Sequence, residues 1–163
     1  MDVNSLLQRF PLLSTLSPVE LHQLVQMSEL RTAHKHGFIY LADEPSDYLC
    51  FLLQGTIKIG IYSPDGREII KSIMHPYTMF GELGLTGECQ RAEFASAMNQ
   101  DVKYCVVRVS DFKNLIQQNF QLAQSVMLFL GERLRKAERQ WESLILKDVR
   151  TRIVEFLKES AGE

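Results

Sequence analysis

The sequence predicts a mainly β protein with flanking helices, on three observations. Between Arg31 and about Arg108, short runs rich in β-branched and aromatic residues alternate with turn-forming clusters at ~8–12-residue spacing, the pattern of a sandwich or barrel. Helix-start chemistry precedes this region at Ser17-Pro18-Val19-Glu20. After it comes a helix with an apolar heptad seam. At 163 residues the chain suits one domain with an appendage and can bury a real core. Its 45% hydrophobic and 23% charged content is that of a soluble globular protein. A net charge of −2 gives no bulk pull toward DNA, RNA or an anionic membrane. No run approaches ~18 apolar residues, so no membrane partner is expected. The N-terminus lacks the basic start of a signal peptide, which points to the cytoplasm.

In chain order, Ser17 is set to cap a helix, Pro18 fits its first position, and Glu20 completes a capping box. Leu21, Leu24, Val25 and Leu30 supply its apolar face. Strands are expected over Phe38–Leu41, Tyr48–Leu53, Thr56–Tyr62, Arg67–Met74, Phe94–Met98 and Val102–Val109. Ile57, Ile59 and Ile61 alternate on one strand face, and Ser63-Pro64-Asp65-Gly66 reads as a hairpin turn. Ser110-Asp111 is expected to cap a helix over Phe112–Gln118, and Asn119 to punctuate it. The next helix places Ala123, Met127, Leu130, Leu134, Ala137, Trp141 and Leu144 at alternating gaps of 4 and 3, with charges crowding the flanks. This seam predicts a parallel two-helix homodimer; packing on the chain's own β-domain is the alternative. Lys147-Asp148 is expected to interrupt it, with Asp148 capping a last helix whose apolar edge is Ile153, Phe156 and Leu157.

Little points to catalysis or metal binding. Cys50, Cys89 and Cys105 are scattered, with no C-x-x-C spacing; Cys50 and Cys105 read as core residues and Cys89 as exposed. His22 reads as a surface residue, and His34 and His36 are placed on one strand face without a third ligand. A Glu82–Glu88 pair could in principle do acid–base work, but no Ser/His/Asp or Cys/His arrangement stands out. The chain is not expected to be an enzyme.

The stretch that matters is Phe80–Ala97, with three glycines, Glu82 and Arg91 between two apolar runs. Such a bend can hold a small anion on backbone N–H groups, with Arg91 as the charged clamp and Glu82 as an acceptor for a hydroxyl. Glu93, two residues from Arg91, is a potential competitor. At ~4 Å and an effective dielectric of ~20, such a pair is worth up to ~4 kcal/mol before desolvation. Alternating side-chain direction could instead point Glu93 to solvent, since Arg91 and Glu93 share a face only if the segment is already extended.

With Asp65-Gly66-Arg67-Glu68 at a hairpin, Phe80-Gly81-Glu82-Leu83-Gly84-Leu85, Arg91-Ala92, and a long helix ending in Lys147-Asp148-Val149-Arg150, the chain resembles the N-terminal effector domain of CRP/FNR-type bacterial transcription regulators. The resemblance runs from the first helix to Glu163. It implies a double-stranded β-helix (a jelly-roll, cupin-like β-roll) over residues 1–118, a dimerising C-helix over 119–147, and a hinge with the first helix of a DNA-binding domain over 148–163. DNA would be contacted only through a C-terminal helix-turn-helix domain that this stretch lacks, so a fragment of a longer chain is expected. The bend would be a phosphate-binding cassette for a cyclic nucleotide such as cyclic AMP, with no cofactor required. Glu82 would accept the ribose 2′-OH and Arg91 pair with the cyclic phosphate, while backbone N–H groups around Gly81, Leu83 and Ala92 complete the anion site. Arg133, Ala137 and Glu138 fall at the purine-side positions of the C-helix. Met127, Leu130, Leu134, Ala137, Trp141 and Leu144 would carry the dimer. The family's iron–sulfur branch uses N-terminal cysteines that are lacking before Cys50; His75 and His34 are conceivable haem ligands of a further branch.

Two functions stay open at this stage. In one, the module senses a cyclic nucleotide or other small anionic effector and relays it to a DNA-binding domain. In the other, it dimerises independently of ligand and keeps a vestigial pocket, a reading favoured by Glu93 and by Ala137-Glu138.

Overall fold

The structure, a computed structural model, describes residues 3–161, without the side chains of residue 143 and of residues 147–161. It divides into a β-rich unit, Met1–Ala123, and a helical unit, Gln124–Glu163.

The β-rich unit opens with α1 (Val3–Leu7), a 3-10 turn at Pro11–Leu13 and α2 (Pro18–Gln26). The capping box forms as expected: Ser17 Oγ accepts from the Glu20 N–H, and the Glu20 carboxylate accepts from the Ser17 N–H at 2.8 Å. Eight described strands follow: β1 (Ser28–Ala33), β2 (Phe38–Tyr40), β3 (Tyr48–Gln54), β4 (Ile57–Tyr62), β5 (Glu68–Met74), β6 (Met79–Phe80), β7 (Phe94–Ala97) and β8 (Val102–Arg108). They form two four-stranded antiparallel sheets, ordered β1-β8-β3-β6 and β2-β7-β4-β5. Apart from the β4–β5 hairpin, neighbours in each sheet are distant in sequence, as in a jelly roll.

The core lies between the sheets, where Tyr40, Leu52, Ile57, Ile59, Phe80 and Tyr104 pack together. β3 is buried on both faces: Cys50 and Leu52 point into that core, and Phe51 meets Phe10 at 5.5 Å and Phe112 at 5.7 Å on the other side. This explains its unbroken apolar run. The hairpin turn closes with the Gly66 N–H on the Ser63 carbonyl at 2.8 Å.

Several expectations are corrected. Leu30 belongs to β1, not to α2, and is 46% exposed. β1 was not foreseen because charged residues dilute its alternation. Ile61 is exposed; it lies beyond a bulge at Ile59/Gly60 that shifts the register with β5 by one residue, so that Ile61 pairs with Ile69 near the exposed end of the hairpin. His34 and His36 sit in the turn after β1, where His34 Nδ1 meets Asp101 at 3.2 Å and His36 takes φ 63°. α3 spans Val109–Gln118 with Arg108 at its N-cap, so Ser110 and Asp111 lie inside the first turn rather than capping it.

Asn119 ends α3, and its Oδ1 accepts from the Leu122 N–H at 2.9 Å to start α4 (Phe120–Ala161). α4 runs through Lys147-Asp148 without the expected interruption, since neither residue is a helix breaker. The expected edge of Ile153, Phe156 and Leu157 lies outside the described side chains. No helix among the described residues is long and apolar enough to cross a membrane.

Candidate functional site

The bend leaves β6 at Gly81, which adopts φ 73° and starts a 3-10 turn, Glu82–Thr86, closed by Gly87 at φ 102°. Gly81 is demanded twice over. Its φ disfavours any side chain, and a Cβ would lie 2.7 Å from Arg91 Nη1. The other limb is stitched to the loop after β2. The Arg91 N–H donates to the Glu44 carbonyl and the Asp43 N–H donates to the Arg91 carbonyl, both at 2.8 Å.

Arg91 is only 4% exposed. Its guanidinium lies over the Tyr40 ring at 4.3 Å. Nη1 donates to the Gly81 carbonyl at 3.1 Å and Nη2 to the Tyr48 carbonyl. Nε is buried with no hydrogen-bond partner. An orphaned buried donor costs its full desolvation unless an acceptor arrives, so the group is set to receive one. Burial pushes the Tyr40 phenol above its ordinary range, which keeps it neutral beneath the cation.

Glu82 is buried with Arg91 in the same bend, and Leu83 is exposed. The Ala92 N–H donates to Glu88 Oε1 at 3.3 Å. A carboxylate of the chain itself therefore sits on a donor that the sequence reading assigned to a ligand. The feared competitor does not compete: Glu93 Oε2 pairs with Lys71 Nζ of β5 at 2.7 Å. Glu93 sits in the bend just before β7, and its carboxylate is directed to Lys71 instead of to Arg91.

Arg91 also lines a cavity of about 280 Å³ with Arg31, Tyr40, Tyr48, Cys50 and Tyr104. The sequence did not mark Arg31 or Tyr48 as site residues, and it offered Glu88 only as an acid–base partner for Glu82. Strand parity held the clue to Tyr48, which shares a face with Cys50 and Leu52. Within the helical unit, Arg133 lies 5.8 Å from the Phe129 ring, and Ala137 and Glu138 are exposed. Along the seam Met127, Leu134, Trp141 and Leu144 are 58–68% exposed, while Leu130 is half-buried. Among the described residues no cluster of His, Cys, Asp or Glu could hold a metal ion.

A family profile described as "Cyclic nucleotide-binding domain" matches residues 30–119, more than half of the chain. The chain belongs to the cyclic nucleotide-binding domain family. It is 31% identical over 130 residues to the cAMP-activated global transcriptional regulator Vfr of Pseudomonas aeruginosa, covering 78% of this chain and 60% of that one. It is 29% identical over 123 residues to a CRP-like cAMP-activated global transcriptional regulator of Mycobacterium tuberculosis, covering 76% and 54%. The chain thus spans a little over half the length of these relatives. Among solved structures, the sensor domain of the transcriptional regulator DNR from Pseudomonas aeruginosa superposes with a TM-score of 0.74 at 25% identity, covering 84% of this chain and 91% of that one. The Thermus thermophilus catabolite activator protein shares the fold at a TM-score of 0.71 and 22% identity, covering 82% and 62%. These relatives are transcription regulators, and the chain shares with them a cyclic nucleotide-binding domain, which is not an enzyme domain in them.

Proposed function

We propose that the chain is the sensing and dimerising part of a CRP/FNR-type regulator, taking cyclic AMP or a related small anionic effector at the Gly81–Ala92 bend. The observation that carries this is the buried Arg91 guanidinium with its unpartnered Nε beside the left-handed Gly81. A cyclic phosphate offers two free oxygens and one charge, which suits an arginine fork. Glu82 accepts a ribose hydroxyl, since a buried carboxylate beside an anion is tolerable only with a proton donor between them. The N–H groups around Gly81, Leu83 and Ala92 complete the anion site, that of Ala92 once Glu88 lets go. The exposed apolar seam of α4 pairs with a second copy, with Arg133, Ala137 and Glu138 at the purine-side positions. Effector binding favours one arrangement of roll and helix, and the helix passes that preference to a DNA-binding domain by linkage.

Glu88 on the Ala92 N–H favours the second reading, a dimerising module whose pocket is filled by its own carboxylate. Calorimetry with cyclic AMP on wild type and Arg91→Ala separates the two. The sensing reading expects binding by wild type and a loss of roughly a hundredfold in the variant, the weight of a charged hydrogen-bonded contact. Equal affinities, or no binding by either, would sink it.

A further inference from the structure

Arg91 is not the sole cation on its cavity wall, because Arg31 lines the same space from β1. Arg31 shares a strand face with Ala33, which is buried in the core between the sheets, so it projects toward that side and lines the cavity. Tyr48 organises both guanidinia: its carbonyl accepts from Arg91, and its ring lies 5.3 Å from Arg31. Glu29 takes Nε and Nη2 of Arg31 at 3.0 and 2.8 Å, leaving the Nη1 edge for a further acceptor. That pair is solvent-accessible, with side chains 39% and 64% exposed, so it is screened and readily exchanged. Glu44 and Asp47 also line the cavity, but both are exposed residues at its rim.

We propose that this cavity reads a ligand with two anionic groups, one clamped by Arg91 and the other met by Arg31. Arg31 is then a specificity-determining residue that favours a doubly anionic effector over one with a single charge. The proposal rests on Arg91 being the anion clamp and, of the effectors proposed above, favours a small dianion over singly charged cyclic AMP. At about 280 Å³ the space lies just below the usual range for drug-sized ligands, which suits a compact dianion.

The test is calorimetric titration with inorganic pyrophosphate and orthophosphate, using wild type, Arg31→Gln, Arg31→Lys and Arg91→Ala, each checked for its melting temperature. Wild type is expected to bind pyrophosphate at least ten times more tightly than orthophosphate. Arg31→Gln should collapse that ratio toward one, and Arg31→Lys should restore part of it, because it keeps the charge without the fork. Arg91→Ala should lose both ions. A ratio unchanged in Arg31→Gln, or a wild type that does not prefer pyrophosphate, overturns the role of Arg31. Failure of the broader reading looks different: Arg91→Ala would keep both ions and bind cyclic AMP as wild type does.

Discussion

Arg91 shows how a single side chain can be structural and receptive at once. Its two Nη groups hold the Gly81 and Tyr48 carbonyls, so the bend and β3 are tied together through it, while Nε is left unmatched. The sequence drew attention to this residue and to the glycines of the bend, because glycines and one cation in an apolar setting are local signals. It could not say that Lys71 would claim Glu93, or that Glu88 would reach back to Ala92, since both contacts depend on tertiary placement. Gly60 makes a sharper case of hidden constraint. At the β4 bulge a Cβ there would lie 2.4 Å from the Ile69 carbonyl oxygen and 2.9 Å from Phe94 Cζ. Gly60→Ala should therefore destabilise the fold by roughly 1–3 kcal/mol, measured as a lower urea midpoint at unchanged slope.

At the scale of elements, the α2 capping box was fully legible, because every partner lies within a few residues. The reach of that box was not. Asn119 Nδ2 donates to Glu20 Oε1 at 2.8 Å, so the start of α2 is bonded to the residue that begins α4. The Ser17 side chain and backbone, then Asn119, hold the Glu20 carboxyl below its ordinary value of 4.5. A depressed folded-state pKa means that the stabilisation is present above pH 4.5 and is lost as pH falls through the lower folded value. Ser17→Ala should cost about 1 kcal/mol at pH 7. Thermal melts should show the gap between wild type and variant narrowing as the pH falls below 4.5. β1, β6 and α1 escaped the sequence reading for a related reason: they are too short or too charged to show a period of their own.

For the whole molecule, the two-sheet roll was readable as strand-and-turn rhythm, but the strand order was not. Antiparallel pairs such as β1 with β8 join residues far apart in sequence, and only packing decides them. The long helix was legible from its heptad, and its apolar seam is left facing solvent in the isolated chain, with Trp141 68% exposed. Trp141→Glu places a charge within that seam and should give monomers by light scattering where wild type gives dimers. A variant that remains dimeric would assign the assembly to another surface. Either outcome bears on relay, because a signal passed along α4 needs a second helix against which to shift.

Cys50 lies on the wall of the Arg91 cavity, and burial pushes its thiol up to about 12 despite the two arginines nearby. It is therefore fully protonated at neutral pH and a poor nucleophile where it stands. Cys89 is exposed on the rim of the same bend, and Cys105 is buried on β8. The chain thus carries its own clock. Alkylation of Cys89 marks reagent contact, whereas alkylation of Cys50 proceeds only as often as the sheets part around Arg91. The ratio of the two rates measures how frequently the roll opens.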